Sequence, residues 1–208
     1  MDNARLTFAP IDLERHADLC AQFRADSFRV SFGSNERVYQ EHATSPTTVH
    51  PDGRGRERYV TWLAQRMREF PGSCVHVWHH GALVGQIEIG RFRGDASVGY
   101  VNLFYLIPAY RGHGLGAQLE QYALAFLRRT GYQRVRLSVS ATNPQAIAFY
   151  LKHHWQDLGP RADHPDSHDM EKRLTGTATA PPAESGGSRG ERPDAVAETE
   201  GQGSTLQE

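Results

Sequence analysis

Apolar and polar positions change period several times along this chain, and each change marks an element. Leu6-Thr7-Phe8 is a short strand-like run closed by Pro10. Asp12 then stands where an N-cap belongs, before Leu13, Ala17, Cys20 and Ala21, which share one helical face. The period predicts a helix that ends before Phe28. Residues 29 to 55 carry no clean period and hold Gly33, Pro46, Pro51, Gly53 and Gly55, so they read as a long loop with a helical turn around Glu36 to His42. Loops of that length inside a compact domain are usually functional, which makes this one a candidate acceptor-binding lid. From Glu57 the period is clear again: Tyr59, Trp62, Leu63, Met67 and Phe70 share a helical face, and Pro71-Gly72 stops the helix.

The second half is built from strands and two more helices. Cys74 to His79 and Leu83 to Ile89 are strand-like runs joined at His80-Gly81, a hairpin. After a loop from Arg91 to Ala96 comes Val98 to Ile107, rich in β-branched, aromatic and aliphatic residues, the composition of a mostly buried strand that Pro108 closes. A glycine-rich turn follows, and then Leu115, Leu119, Tyr122, Ala123, Phe126 and Leu127 fall on one face of a helix that ends at Gly131. Arg134 to Ser140 alternates as a strand. Asn143 to Lys152 is helix-length, with Asn143 as N-cap and Pro144 at the first position, where its missing N–H is harmless. Trp155 to Leu158, a polar loop through Gly159 and Pro165, and a strand near His168 to Leu174 complete the order. The expected fold class is α/β (α+β) with a mixed sheet.

Composition bounds this picture. Residues 175 to 208 are dominated by Gly, Ser, Thr, Ala, Pro, Glu and Gln, and read as a disordered low-complexity tail behind a domain of residues 1 to 174. The tail holds six acids against two arginines; the overall charge of −1 then leaves the domain weakly positive, which gives nucleic-acid binding little support. Nothing approaches the ~20 apolar residues of a membrane span, and Met1 to Arg5 lacks the apolar core of a signal peptide, so the expected location is cytoplasmic. Cys20 and Cys74 have no metal-ligand spacing and read as reduced core thiols. The pairs His79-His80 and His153-His154 fall at a hairpin turn and a helix end, with no third ligand nearby in sequence, so no metal is expected.

The turn between the buried strand and its helix carries the chemistry. The first N–H groups of a helix lack intrahelical partners and lie at the positive end of its dipole, which suits an anion. Gly112, Gly114 and Gly116 leave no Cβ in the way of a phosphate, and Arg111 adds charge. A Walker A loop needs a Gly-Lys-Ser/Thr ending, absent here. The dinucleotide fingerprint is admissible on the spacing of Gly112, Gly114 and Ala117, but it needs an acid after the next strand, where this chain has Ser140-Ala141-Thr142.

The run Leu103-Phe104-Tyr105-Leu106-Ile107-Pro108-Ala109-Tyr110-Arg111-Gly112-His113-Gly114-Leu115-Gly116 and the later Asn143-Pro144-Gln145-Ala146-Ile147-Ala148-Phe149-Tyr150 together resemble, in order and spacing, two motifs of the GNAT superfamily of acyl-CoA-dependent N-acetyltransferases. The resemblance covers most of residues 1 to 174. It implies a mostly antiparallel sheet flanked by helices, with two central strands that splay apart. It further implies acetyl-CoA as co-substrate, with Phe104, Tyr105 and Leu106 on the pantetheine arm and the Leu106 N–H on the thioester carbonyl. Such a donor is typically worth about 3 to 4 kcal/mol to an oxyanion. The backbone from Arg111, Gly112 and His113 through Gly114, Leu115, Gly116 and Ala117 would cradle the pyrophosphate, Asn143 would reach the cofactor, and Tyr150 would lie beside its sulfur. His154 stands where the family commonly has a glycine.

Tyr150 also has an argument of its own, since transfer from a thioester expels a thiolate that a phenol can protonate as general acid; the alternative is a plain core tyrosine. For the general base, Tyr100, Asn102 and Ser138 hold the positions where the family often has a carboxylate, and Glu88 on the preceding strand is the nearest central acid. No cysteine lies near the motifs, so direct transfer to a primary amine in a ternary complex is expected. The acceptor, a small molecule or a peptide, would sit between the 29–55 and 159–168 loops, where Glu36, Glu41, Asp163 and Asp166 would favour a cation. A homodimer is compatible with this reading. The rivals are a non-catalytic acyl-CoA-binding sensor and a different doubly wound nucleotide-binding domain.

Overall fold

The computed structural model describes residues 5–33 and 36–174; the expected tail from 175 to 208 lies outside the described residues. The elements are β1 (Thr7–Pro10), α1 (Leu13–Phe32), α2 (Glu36–Glu41), α3 (Arg56–Glu69), β2 (Cys74–His79), β3 (Ala82–Phe92), β4 (Asp95–Leu106), a 3-10 turn (Pro108–Tyr110), α4 (Gly116–Arg129), β5 (Arg134–Ser140), α5 (Pro144–Lys152), β6 (Gln156–Pro160) and β7 (Ser167–Arg173). Seven strands form one sheet in the order β1-β2-β3-β4-β5-β7-β6, antiparallel at every junction except β4–β5.

Two boundaries differ from those the period predicts. Helix α1 runs past Phe28 to Phe32, where the N–H of Gly33 caps the Arg29 carbonyl at 2.7 Å. The added turn is stabilised by rings: Phe28 packs on Phe32 with centroids 4.8 Å apart and on Tyr39 at 4.6 Å. These contacts come partly from α2, which no period inside α1 reveals. The expected loop from Arg91 to Ala96 is mostly strand, because β3 and β4 continue to a tight turn at Arg93-Gly94. Their tips are mostly exposed, so the alternation that marks a half-buried strand is missing there.

Two irregularities position the site. Glu88 pairs with Leu103 and Ile89 with Val101, so Asn102 is the extra residue of a β-bulge. The parallel junction is short: only Val98–Tyr100 pair with Arg134–Arg136, after which β4 and β5 run on without partners for each other.

The core lies on both faces of the sheet. On one face α4 buries Leu119, Ala123, Phe126 and Leu127 against Ile87, Ile89, Val101 and Leu137. On the other, Cys20, Ala21 and Ala25 of α1 pack with Tyr59 and Leu63 of α3, while Phe23 meets Leu103 and Tyr105. Both cysteines are buried free thiols. Among the described residues no helix is long and apolar enough to cross a membrane.

Candidate active site

The splay between β4 and β5 opens a cleft of about 1380 Å3 that runs along β4 from Tyr100 to Leu106, past the glycine loop and the start of α5. Its β4 edge carries directed donors. The N–H of Ile107 donates to the Val84 carbonyl at 2.9 Å, and N–H groups alternate in direction along an antiparallel ladder. The N–H groups of Leu106 and Phe104 therefore point away from β3, into the gap.

The loop at the end of this edge is a set of open donors. Gly112 and Gly114 have φ of +79° and +76°, conformations a side chain would strain, and a Cβ on either would meet nothing within 4 Å. The N–H groups of Gly112, His113, Gly114 and Leu115 make no backbone hydrogen bond among the described residues. They lie just before α4, which begins without a side-chain cap. The individual side chains play other parts. His113 is exposed, Leu115 is a core residue, and Gly116 packs on the Phe149 ring. The Arg111 guanidinium turns back: Nε donates to the Leu106 carbonyl (2.7 Å), Nη2 to Asp26 (3.0 Å), and the group lies over the Tyr105 ring.

Helix α5 forms the opposite wall. Asn143 caps it through Oδ1, which accepts from the Ala146 N–H at 3.1 Å, so the expected cap is present and the amide nitrogen remains for the cleft. Tyr150 lines the cleft beside Trp155, and its hydroxyl has no hydrogen-bond partner among the described residues. Burial holds that hydroxyl well above the ordinary tyrosine range, so it carries its proton at neutral pH. The helix is anchored by Glu120 of α4, which accepts from Trp155 Nε1 (2.8 Å) and Lys172 (2.7 Å) and also contacts His153. Burial opposes ionisation of Glu120, but bonds from Lys172, Trp155 and His153 outweigh it and hold the carboxyl low. Nothing in its sequence context, an acid on the apolar side of a helix, announces this role.

The other end of the cleft is made of side chains. Glu88 does not line it: the carboxylate is fully buried and accepts from Tyr59 (2.5 Å) and Gln86 (2.8 Å). It reaches the cleft through Arg24, whose Nη1 lies 3.5 Å from Glu88 and donates to the Asn102 carbonyl at 2.7 Å. Sequence reasoning missed a second network. Tyr100 and Ser138 share a hydrogen bond of 2.9 Å, Ser138 donates to Asp169 at 2.8 Å, and Arg161 donates to Ser138 at 2.6 Å. Of the loop acids expected to favour a cation, Glu36 is paired with Arg54, Glu41 with Arg37, and Asp163 with Arg161 through two bonds. In each histidine pair one residue turns the chain, with His80 and His154 at φ of +47° and +60°, while His79 and His153 contact Tyr110 and Glu120.

A splayed β4–β5 pair ending in an open-donor loop at a helix start can be compared with known proteins. The family model of the acetyltransferase (GNAT) family matches residues 35–155. The chain belongs to the GNAT family. Mycothiol acetyltransferase of Catenulispora acidiphila is 34% identical over 127 residues, which is 57% of this chain and 37% of that protein. An uncharacterised N-acetyltransferase of Mycobacterium bovis is 33% identical over 122 residues, 56% of this chain and 74% of that one. Among solved structures, the PaiA N-acetyltransferase of Thermoplasma acidophilum in complex with coenzyme A superposes with a TM-score of 0.64 at 16% identity, covering 81% of this chain and 99% of that one. At that identity the likeness concerns the fold, and it agrees with the expected mixed, mostly antiparallel sheet. The chain spans well under half the length of the mycothiol acetyltransferase it matches.

Proposed function

We propose that this chain transfers an acetyl group from acetyl-CoA to a primary amine, directly, in a ternary complex. One observation carries the reading: the unpaired edge of β4, the open-donor loop and Tyr150 face a single continuous cleft. Acetyl-CoA supplies the acyl group as a thioester. The N–H groups of Gly112 to Leu115 would hold its pyrophosphate, and Phe104 to Leu106 its pantetheine arm. The Leu106 N–H would donate to the carbonyl oxygen, where negative charge grows as the amine attacks. As the new N–C bond forms and the C–S bond breaks, Tyr150 gives its proton to the departing sulfur. The amine loses a proton in exchange, so the products are an amide and the free thiol.

Of Glu88 and Asp169, only Asp169 lines the cleft and stands where it could take the amine's proton. Glu88 is held by Tyr59 and Gln86, so its part is exerted through Arg24 on the bulge at Asn102. Asp169 lines the cleft and connects through Ser138 to Tyr100, a hydrogen-bonded path that ends where β4 and β5 part. The enclosure of Glu88 is also the observation that favours the sensor reading, in which acetyl-CoA binds without turnover.

A panel of amines assayed for CoA release separates the two. Acetylated product in equal amount to CoA is the expected result. Tight binding of acetyl-CoA with no release above hydrolysis for any amine would establish the sensor instead.

A further inference from the structure

The acceptor end of the cleft holds more arginine than its acids neutralise. Arg24, Arg66, Arg91, Arg93 and Arg161 line it, against Glu41, Asp163 and Asp169. Arg161 takes Asp163 and stands 3.8 Å from Asp169, Glu41 is held by Arg37, and Arg24 is occupied by Glu88 and two carbonyls. Arg66, Arg91 and Arg93 have no carboxylate partner among the described residues. The uncompensated charge is thus positive, the reverse of what a polycationic acceptor requires.

Two of these groups are specific rather than merely charged. The Arg66 Nε and the Asn102 Oδ1 are both buried and both without a hydrogen-bond partner among the described residues. Buried polar atoms in folded proteins are nearly always satisfied, so an orphan donor beside an orphan acceptor points to a ligand that supplies both partners. They are neighbours: Asn102 Oδ1 lies 2.9 Å, and the Arg66 guanidinium carbon 3.4 Å, from the point a Cβ on Gly90 would occupy. Having no side chain, Gly90 lets the two groups close over its backbone, where a Cβ would clash with Asn102 Oδ1. The guanidinium also lies over the Trp62 ring, 5.5 Å from its centroid, which holds it in place. Asn102 is the bulge residue next to Val101 and Tyr100, where the β4–β5 gap begins, and it lines the cleft.

We infer that the acceptor is a small aminocarboxylate whose carboxylate is bound by Arg66 and whose amine N–H is received by Asn102 Oδ1. The reading rests on the acetyl-transfer function proposed above. A guanidinium matches a carboxylate through paired N–H donors, and an uncharged amide oxygen accepts from an amine without holding it as an ammonium salt. Arg91 and Arg93, exposed at the β3–β4 tip, add attraction during approach rather than a fixed contact.

The test pairs a set of amino acids with the corresponding amides and decarboxylated amines, assayed with the wild-type chain, Arg66→Met and Asn102→Leu. Wild type is expected to favour the carboxylates. Arg66→Met should raise KM for them about 10- to 100-fold while changing kcat/KM for the decarboxylated amines less than about threefold. Asn102→Leu should lower kcat/KM for both classes. The thermal shift induced by acetyl-CoA shows that each variant is folded and loads its donor. Equal preference for carboxylate and amide in wild type, or a carboxylate preference that survives Arg66→Met, overturns the assignment. Should acetyl transfer itself fail with every amine, calorimetric binding of the same amino acids to the CoA-loaded chain keeps the two readings apart. Binding that Arg66→Met abolishes supports the anion site, and absence of binding to wild type refutes it.

Discussion

The two ends of the cleft present different kinds of group. At the glycine loop the open groups are backbone N–H groups, set by two glycines with positive φ and by the start of a helix. At the opposite end they are side chains from α1, α3, β4, β5 and β7, oriented by bonds between residues as far apart as Arg24 and Asn102. Backbone donors tie recognition to local conformation and leave side-chain identity nearly free. A side-chain constellation is open to change at every position. One end can therefore keep a fixed donor while the other is retuned to a different acceptor on the same frame.

The sharpest test of this contrast is Tyr150→Phe, which removes one hydroxyl from the α5 wall. It should lower kcat by an order of magnitude or more with the Kd for acetyl-CoA unchanged; pre-steady-state acetyl transfer beside calorimetric binding measures both, and undiminished turnover would take Tyr150 out of the mechanism. Gly114→Val attacks the other end. A β-branched residue at φ of +76° is strained, so CoA affinity should fall about tenfold, with a stability loss of about 1 to 2 kcal/mol in urea unfolding.

Asp26 joins the two ends, since α1 reaches from the acceptor face to bond Tyr105 and Arg111. Burial alone would raise its pKa, but bonds from Arg29, Tyr105 and Arg111 hold it below the ordinary value of 3.8. A depressed folded pKa means stability that is complete above the unfolded value and lost as pH falls below it toward the folded one. Asp26→Asn should cost about 1 to 2 kcal/mol at neutral pH and flatten stability below pH 3.8, as followed by denaturant titration across pH. An unchanged acid limb would show that other groups govern it. The smallest effect belongs to His113→Ala: the side chain is exposed, so CoA affinity should move less than about twofold, and a larger loss would mean that side chains do share in recognition at that end.

How far the sequence reached follows the same division. Order and type of the elements were legible because each buried face carries its own period, as in α3 and α4. The end of α1 was not, because Phe28 and Phe32 are held by Tyr39 and by each other rather than by a longer stripe. Glu88 was legible as a central acid, but its enclosure by Tyr59 and Gln86 depends on α3 crossing β3. Glu120 stayed hidden for the same reason, since Trp155 and Lys172 reach it from distant segments.

By itself the sequence determined the elements, the glycine loop and the Asn143 cap, because period, positive φ and capping are local properties written in a few consecutive residues. Tertiary structure alone decided that β4 and β5 part after Tyr100, that Glu36, Glu41 and Asp163 are spent on arginines, and that Arg66 and Asn102 meet over Gly90. Those outcomes are set by which surfaces the packed helices bring together, and no stretch of chain carries that information alone.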